Sequence, residues 1–222
     1  MPTRAAAPRS LPASALLHVS AQSQLPDLPN GCEVTSLSML LSAAGHPADK
    51  NVLADEVDHD ASQPAFAPGA KPTFASIVRW GDPADQFVGN ERGAHGYAVY
   101  HQPLARLLDR HLPKRALDLT GQPLARLLDQ VAGGIPVVMW VTTTLAPTDD
   151  FVTWQGPHGP VRATPLEHAV LLVGYDREHL YVNDPLRGVA ALPVSRTDLL
   201  KAWDQLGQQS LTLAPEDQTR AR

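Results

Sequence analysis

The sequence predicts an α+β fold in which helices come first and strands follow. Apolar residues recur at helical spacing in the first part of the chain. The predicted helices there are 32–44, 51–57, 102–109 and 122–129, with one short helix over 73–79 in an otherwise long and irregular segment, 58–98. From residue 135 the pattern changes to short apolar runs rich in β-branched residues, which are typical of buried strands. The predicted strands are 136–144, 167–175, 179–183 and 188–194, before a last helix over 196–206. Segregated helices and strands favour α+β over an alternating α/β fold.

Composition limits the classes of protein that this chain can be. With 222 residues, 43% hydrophobic and 18% charged, it is long enough to bury a core and is globular. A net charge of -5 without a Lys/Arg cluster predicts no nucleic-acid partner. No run approaches the roughly 18 apolar residues of a membrane span. We predict a flexible leader over 1–15, one domain over 16–212 and a flexible tail over 213–222.

The N-terminal residues do not form a complete signal peptide. Residues 1–15 are rich in Ala, Pro, Ser and Arg and contain no apolar segment. As written, the chain predicts a cytoplasmic protein, and an extracytoplasmic one if 1–15 is the remainder of a truncated leader. A single cysteine excludes an internal disulfide and therefore does not report the redox compartment. The sequence does not predict the oligomeric state.

Cys32, the only cysteine, stands where the first helix begins. Pro26 and Pro29 hold the approach extended, and Gly31 permits a tight turn. A thiol at a helix N-terminus meets unpaired N–H groups and the positive end of the helix dipole, which favour the thiolate. The position therefore predicts a reactive nucleophile. The alternative is a small buried apolar residue.

A second pair of residues is predicted to meet in a β-hairpin. His168 begins one predicted strand and Asp184 ends the next, and only 176–178 connect them. In an antiparallel hairpin these two ends lie side by side, so a carboxylate would orient an imidazole there. The alternatives are a strand-end histidine and an Asx-type turn before Pro185.

No metal or cofactor motif accompanies these residues. Seven other histidines lack the spacing of a metal site. They are His46, His59, His95, His101, His111, His158 and His179. A phosphate-binding glycine loop is also absent from the sequence. We therefore predict a protein without cofactor or metal.

Several motifs in combination resemble one known family. They are NGCEVTSLSM at 30–39, FVGN at 87–90, GY at 96–97, LTG at 119–121, GIPVVMW at 134–140, EHAVLLVGY at 167–175 and VNDP at 182–185. Together they resemble the peptidase-like branch of the bacterial bacteriocin-processing cysteine peptidases, which remove double-glycine leaders and belong to the papain-like superfamily. The resemblance runs from about residue 17 to residue 212.

The resemblance implies a papain-like fold with Cys32 on an N-terminal helix and His168 and Asp184 on an antiparallel sheet. It also implies an oxyanion-hole glutamine upstream of the cysteine. Gln24 matches best, Gln22 less well, and the alternative for Gln24 is a solvated loop amide. The expected function is a thiol hydrolase that cleaves a peptide or amide bond in a peptide or protein substrate. The alternatives are a non-catalytic papain-like binding module, and an acyltransferase or amidase with the same triad.

Overall fold

The computed structural model describes residues 11–215. The α-helices in this part of the chain are α1 (Cys32–Ala43), α2 (Lys50–Glu56), α3 (His101–His111), α4 (Leu124–Ala132) and α5 (Arg196–Gln205). The strands are β1 (Ala15–Leu16), β2 (His59–Asp60), β3 (Ala65–Phe66), β4 (Ile77–Arg79), β5 (Phe87–Val88), β6 (Ala116–Asp118), β7 (Val137–Thr142), β8 (Val152–Gly156), β9 (Gly159–Ala163), β10 (Glu167–Tyr175), β11 (His179–Asp184), β12 (Val189–Ser195) and β13 (Ser210–Leu213). Of the predicted leader and tail, 1–10 and 216–222 lie outside the described residues.

The helices and long strands predicted from periodicity are confirmed, with ends that differ by at most three residues. The helix predicted near 73–79 is wrong. A single 3-10 turn, Phe74–Ser76, is followed at once by β4, which begins with the β-branched pair Ile77 and Val78. The loop over 145–166 also contains an unpredicted hairpin, β8–β9. No helix among residues 11–215 is long and apolar enough to cross a membrane.

The main sheet has seven strands and is antiparallel at every pairing between them. The strands run in the order β12-β11-β10-β7-β13-β6, and β1 pairs with the far end of β10. β10 is central, because β7 and β11 flank it and all nine of its residues are buried. The predicted hairpin is confirmed, with Leu171 opposite Asn183 across β10 and β11. This register brings the first residues of β10 and the last residue of β11 to the same end of the sheet.

Helices cover both faces of this sheet. α1 and α3 bury one face, and α4 and α5 bury the other. Residues Cys32 to Leu41 of α1 are all buried, which is typical of a helix enclosed on every side. Leu37 and Leu40 pack in the same core as Trp140 of β7, and each fully buried leucine stabilises the fold by about 1.5–3 kcal/mol. α1 is therefore held firmly, and so is the residue at its N-terminus.

A smaller aromatic core lies beside the N-terminal end of α1. It is built on the sheet β3-β4-β8-β9 and includes Trp80, Tyr97 and Trp154. The Tyr97 and Trp154 ring centroids are 5.2 Å apart, and Phe74 packs against both rings. Trp154 donates its indole N–H to the carbonyl of Gly81 at 2.8 Å. The long segment 58–98 is thus packed by its own aromatic residues, as expected of a long loop in a compact domain.

Candidate active site

Cys32 is the first residue of α1, and its approach is shaped for a close turn. The Gly31 N–H donates to the Leu28 carbonyl at 3.0 Å. A Cβ atom at position 31 would lie 2.7 Å from the Leu28 Cβ, so only glycine fits without displacing the chain. The first N–H groups of a helix have no acceptor within the helix, so those of Cys32 and the next residue can donate to an acceptor outside it. Cys32 itself is 5% exposed.

A cavity of about 190 Å³ opens beside the Cys32 side chain. Gln24, Cys32 and His168 all line it, so three of the four predicted site residues share one space. Glu167 lines it as well, and Phe74 and Tyr97 contribute aromatic rings. Asp184, the fourth predicted residue, is fully buried and contacts His168.

The pair His168 and Asp184 forms as the hairpin predicts. His168 Nε2 and Asp184 Oδ1 are 3.0 Å apart, and both side chains are almost completely buried. A carboxylate beside Nε2 places the imidazole proton there. Nδ1 is then unprotonated, and its lone pair can accept a proton.

Asp184 is held by more than the imidazole. Its Oδ1 also accepts the backbone N–H groups of Leu186 at 2.9 Å and Arg187 at 3.2 Å, so the Asx-type turn coexists with the histidine contact. Its Oδ2 pairs with the Arg187 guanidinium, which in turn donates to the Thr143 carbonyl at 2.8 Å. Burial opposes ionisation, but the bonds from His168 and Arg187 outweigh it and lower the pKa of Asp184 to about 2. Arg187 was not identified from the sequence, although a basic residue three positions after the predicted aspartate was a clue to this ion pair.

This lowered pKa predicts a pH-dependent contribution of Asp184 to stability. A carboxyl whose pKa falls from 3.8 to about 2 on folding stabilises the protein above pH 3.8 by about 2 kcal/mol. That contribution is lost as the pH falls toward 2. Urea unfolding of wild type and Asp184→Asn should therefore give a difference in unfolding free energy that is largest near neutral pH and shrinks below pH 4. A constant difference between pH 7 and pH 3 would contradict the assignment.

Gln24 is buried, not solvated, with 3% of its surface exposed. Its Nε2 donates one N–H to the Pro29 carbonyl at 2.8 Å, and its backbone N–H donates to Pro185, which ties this loop to the turn after Asp184. One side-chain N–H is left, while the Oε1 atom is buried without a hydrogen-bond partner. Gln22, the weaker candidate, instead donates its amide to Ser38 of α1 at 3.0 Å.

Two glutamates that the sequence did not single out surround the thiol. The Cys32 thiol donates to Glu33 Oε2 at 3.3 Å, while Glu33 Oε1 accepts the Val99 N–H at 2.8 Å. The Cys32 sulfur and one carboxyl oxygen of each of Glu33 and Glu167 lie within 4.8 Å of one another, a geometry that could hold a cation. The Glu167 Oε1 atom is buried without a hydrogen-bond partner. The sequence did contain a clue to both glutamates, because each is the immediate neighbour of a predicted site residue.

Burial and two neighbouring carboxyl groups favour the neutral thiol form of Cys32. Burial, followed by the charges of Glu33 and Glu167, raises the pKa of the Cys32 thiol well above its usual value. Burial likewise raises the pKa of Glu33 to about 8 and raises the pKa of Glu167. The expectation of a thiolate from the helix start alone is therefore wrong for this state. Burial and two nearby carboxylates outweigh the helix dipole.

Comparisons with known proteins agree with this arrangement of helices and strands. The model of the Peptidase_C39 like family matches residues 16–211. Uncharacterized protein YvpB of Bacillus subtilis (strain 168) is 38% identical over 192 residues, which are 86% of this chain and 72% of that protein. A crystal structure from Bacillus anthracis, described as a candidate C39-like peptidase, is 38% identical and superposes with a TM-score of 0.81. That match covers 91% of this chain and 98% of the other.

Proposed function

This chain belongs to the Peptidase_C39 like family, and we propose that it is a papain-like cysteine peptidase that hydrolyses peptide or amide bonds. The observation that carries the proposal is one shared cavity. Cys32 and His168 both line it, and Asp184 is hydrogen-bonded to Nε2 of His168 at 3.0 Å. A nucleophile, a base and a group that orients the base are the three parts that thiol hydrolysis needs.

In the proposed reaction His168 Nδ1 accepts the Cys32 thiol proton as the sulfur attacks the substrate carbonyl. A C–S bond forms, and the imidazolium then gives its proton to the departing amine as the C–N bond breaks. Water attacks the resulting thioester, His168 removes a proton from that water, and the acid product and the thiol are released. Asp184, ionised because its pKa is about 2, stabilises the imidazolium throughout.

The oxyanion of the tetrahedral intermediate is assigned to the free N–H of Gln24 and the backbone N–H of Cys32. The bond from Nε2 to the Pro29 carbonyl holds the Gln24 amide in one orientation. A donor fixed in advance stabilises developing charge without reorganisation during the step. The Cys32 N–H adds the positive end of α1.

Loss of this donor should slow chemistry more than it weakens substrate binding. We expect Gln24→Ala to lower kcat by about 100-fold or more, with KM changed much less. Gln22→Ala, which removes an amide that is bonded to Ser38, is the matched control and should retain activity. Steady-state kinetics of both variants checks this. Equal effects of the two substitutions would rule out a special role for Gln24.

The proposed function is tested by a cleavage screen with Cys32→Ala as the reference. Purified protein is incubated with denatured protein and diverse peptides, including one with a double-glycine leader, and products are identified by mass spectrometry. Cleavage by wild type that is absent from Cys32→Ala supports the peptidase. Cleavage of the double-glycine peptide alone would support the finer assignment to leader processing.

One observation favours a second candidate, the papain-like module that binds peptides without turnover. The hydrogen bond of the Cys32 thiol goes to Glu33, and the thiol is neutral in the free protein. In that case the screen finds no cleavage, while peptides still bind wild type and Cys32→Ala with equal affinity.

A further inference from the structure

Two buried acidic side chains meet beside Cys32. Glu167 lines the cavity and Glu33 lies beside Cys32. One carboxyl oxygen of each glutamate is within 4.8 Å of the Cys32 sulfur. Among residues 11–215, neither lysine nor arginine lines this cavity. Burial and mutual repulsion favour the protonated form of both carboxyl groups, whereas a positive partner would favour their ionised form and be held by it.

A second observation concerns two hydrogen-bond acceptors on residues that line the cavity. Glu167 is 8% exposed and Gln24 is 3% exposed, and both line the cavity. Each has a side-chain oxygen without a hydrogen-bond partner. Buried acceptors are normally satisfied, so two orphans on one cavity indicate a ligand that donates.

Aromatic rings at the same cavity indicate which kind of cation fits. Phe74 and Tyr97 both line it, with ring centroids 5.5 Å apart. Backbone hydrogen bonds through Thr164 connect Tyr97 to Glu167. The Thr164 N–H donates to the Tyr97 hydroxyl at 3.3 Å, and the Thr164 carbonyl accepts the Glu167 N–H at 3.1 Å. Aromatic faces attract an organic ammonium group, whereas they supply no ligand atom to a metal ion.

We infer that this cavity binds a primary ammonium group of the substrate, held by the Glu167 carboxylate beside the rings of Phe74 and Tyr97. That the ammonium group belongs to a substrate rests on the proposed function, and the inference adds the class of that substrate. A volume of about 190 Å³ takes a side chain or a chain end, not a drug-sized molecule. The ammonium group is therefore that of a lysine-type side chain or a free amino terminus. Its positive charge would also favour the ionised form of the Cys32 thiol, so recognition and activation of Cys32 would be linked.

Labelling of the single cysteine tests the site without any turnover. Wild type is treated with 2-aminoethyl and 2-hydroxyethyl methanethiosulfonate, which differ in charge, and each rate is divided by its rate with free cysteine. We expect the cationic reagent to be favoured by about tenfold or more, equivalent to about 1.4 kcal/mol. Glu167→Gln should lose this preference, and Glu178→Gln, at an exposed glutamate of the β10–β11 turn, should keep it.

Equal normalised rates for the two reagents on wild type would overturn the inference, and this comparison does not depend on a folded variant. If micromolar zinc protected Cys32 from labelling and the two reagents reacted at equal normalised rates, the site would be assigned to a metal ion and not to an ammonium group. A cationic preference without cleavage of any substrate would support the ammonium site and refute the peptidase, so the two failures are distinguishable.

Binding to Cys32→Ser identifies the source of the ammonium group. Calorimetry compares peptides that differ by lysine against norleucine, and by a free against an acetylated amino terminus. A loss of affinity of about tenfold with norleucine assigns a side chain, and the same loss with acetylation assigns a chain end. No difference in either pair would contradict the inference.

Discussion

His168→Ala should lower kcat/KM on any substrate found by about 1000-fold or more, because it removes the only group assigned to take the thiol proton. The imidazole of His168 is almost completely buried and its Nε2 is bonded to Asp184, so no other ring orientation keeps this contact. Steady-state kinetics with a peptide from the screen measures the effect. This is the largest loss expected apart from removal of Cys32 itself.

The chain offers a matched control for this substitution. His179 also pairs with an aspartate, Asp176, at 3.4 Å, and it lies on the strand that follows β10 but is partly exposed. His179→Ala should leave kcat/KM unchanged. If His168→Ala keeps a tenth or more of wild-type activity while folded, as judged by circular dichroism, His168 is not the base and the proposed mechanism is wrong.

Glu33→Gln should move the pH profile of Cys32 alkylation to lower pH by at least about one unit, a tenfold change in thiolate fraction. Burial is the largest cause of the raised pKa of the thiol, and it persists in the variant. The charge of Glu33, second in size, is removed. Because the pKa of Glu33 is about 8, its charge opposes thiolate formation above that pH, so the gain in rate should be greatest between pH 8.5 and 10.

Iodoacetamide labelling followed by mass spectrometry measures this profile, since Cys32 is the only cysteine. The glutamine carbonyl can still accept the Val99 N–H, so the local backbone contact is retained. Glu56→Gln changes a partly exposed glutamate paired with His111 and should leave the profile unchanged. Identical profiles for wild type and Glu33→Gln would show that Glu33 does not control the thiol.

Much of the fold follows from local patterns in the sequence. Apolar spacing of 3.6 residues predicts α1, and apolar runs joined by 176–178 predict the hairpin of β10 and β11. The adjacency of His168 and Asp184 follows from that hairpin alone. The segment 58–98 was less predictable, because its strands are two or three residues long and depend on partners far away in the sequence.

The sequence by itself determined the residue types, the helix start at Cys32 and the hairpin that pairs His168 with Asp184, because these depend on neighbours in the chain. Only the tertiary structure decided the charge at the thiol. Packing of α1 against β10 buries Glu33 and Glu167 around Cys32, and desolvation with carboxylate repulsion then reverses the thiolate expected from the helix dipole. Neither burial nor distance between residues so far apart in the chain is encoded in local periodicity, and both set the protonation state of the proposed nucleophile.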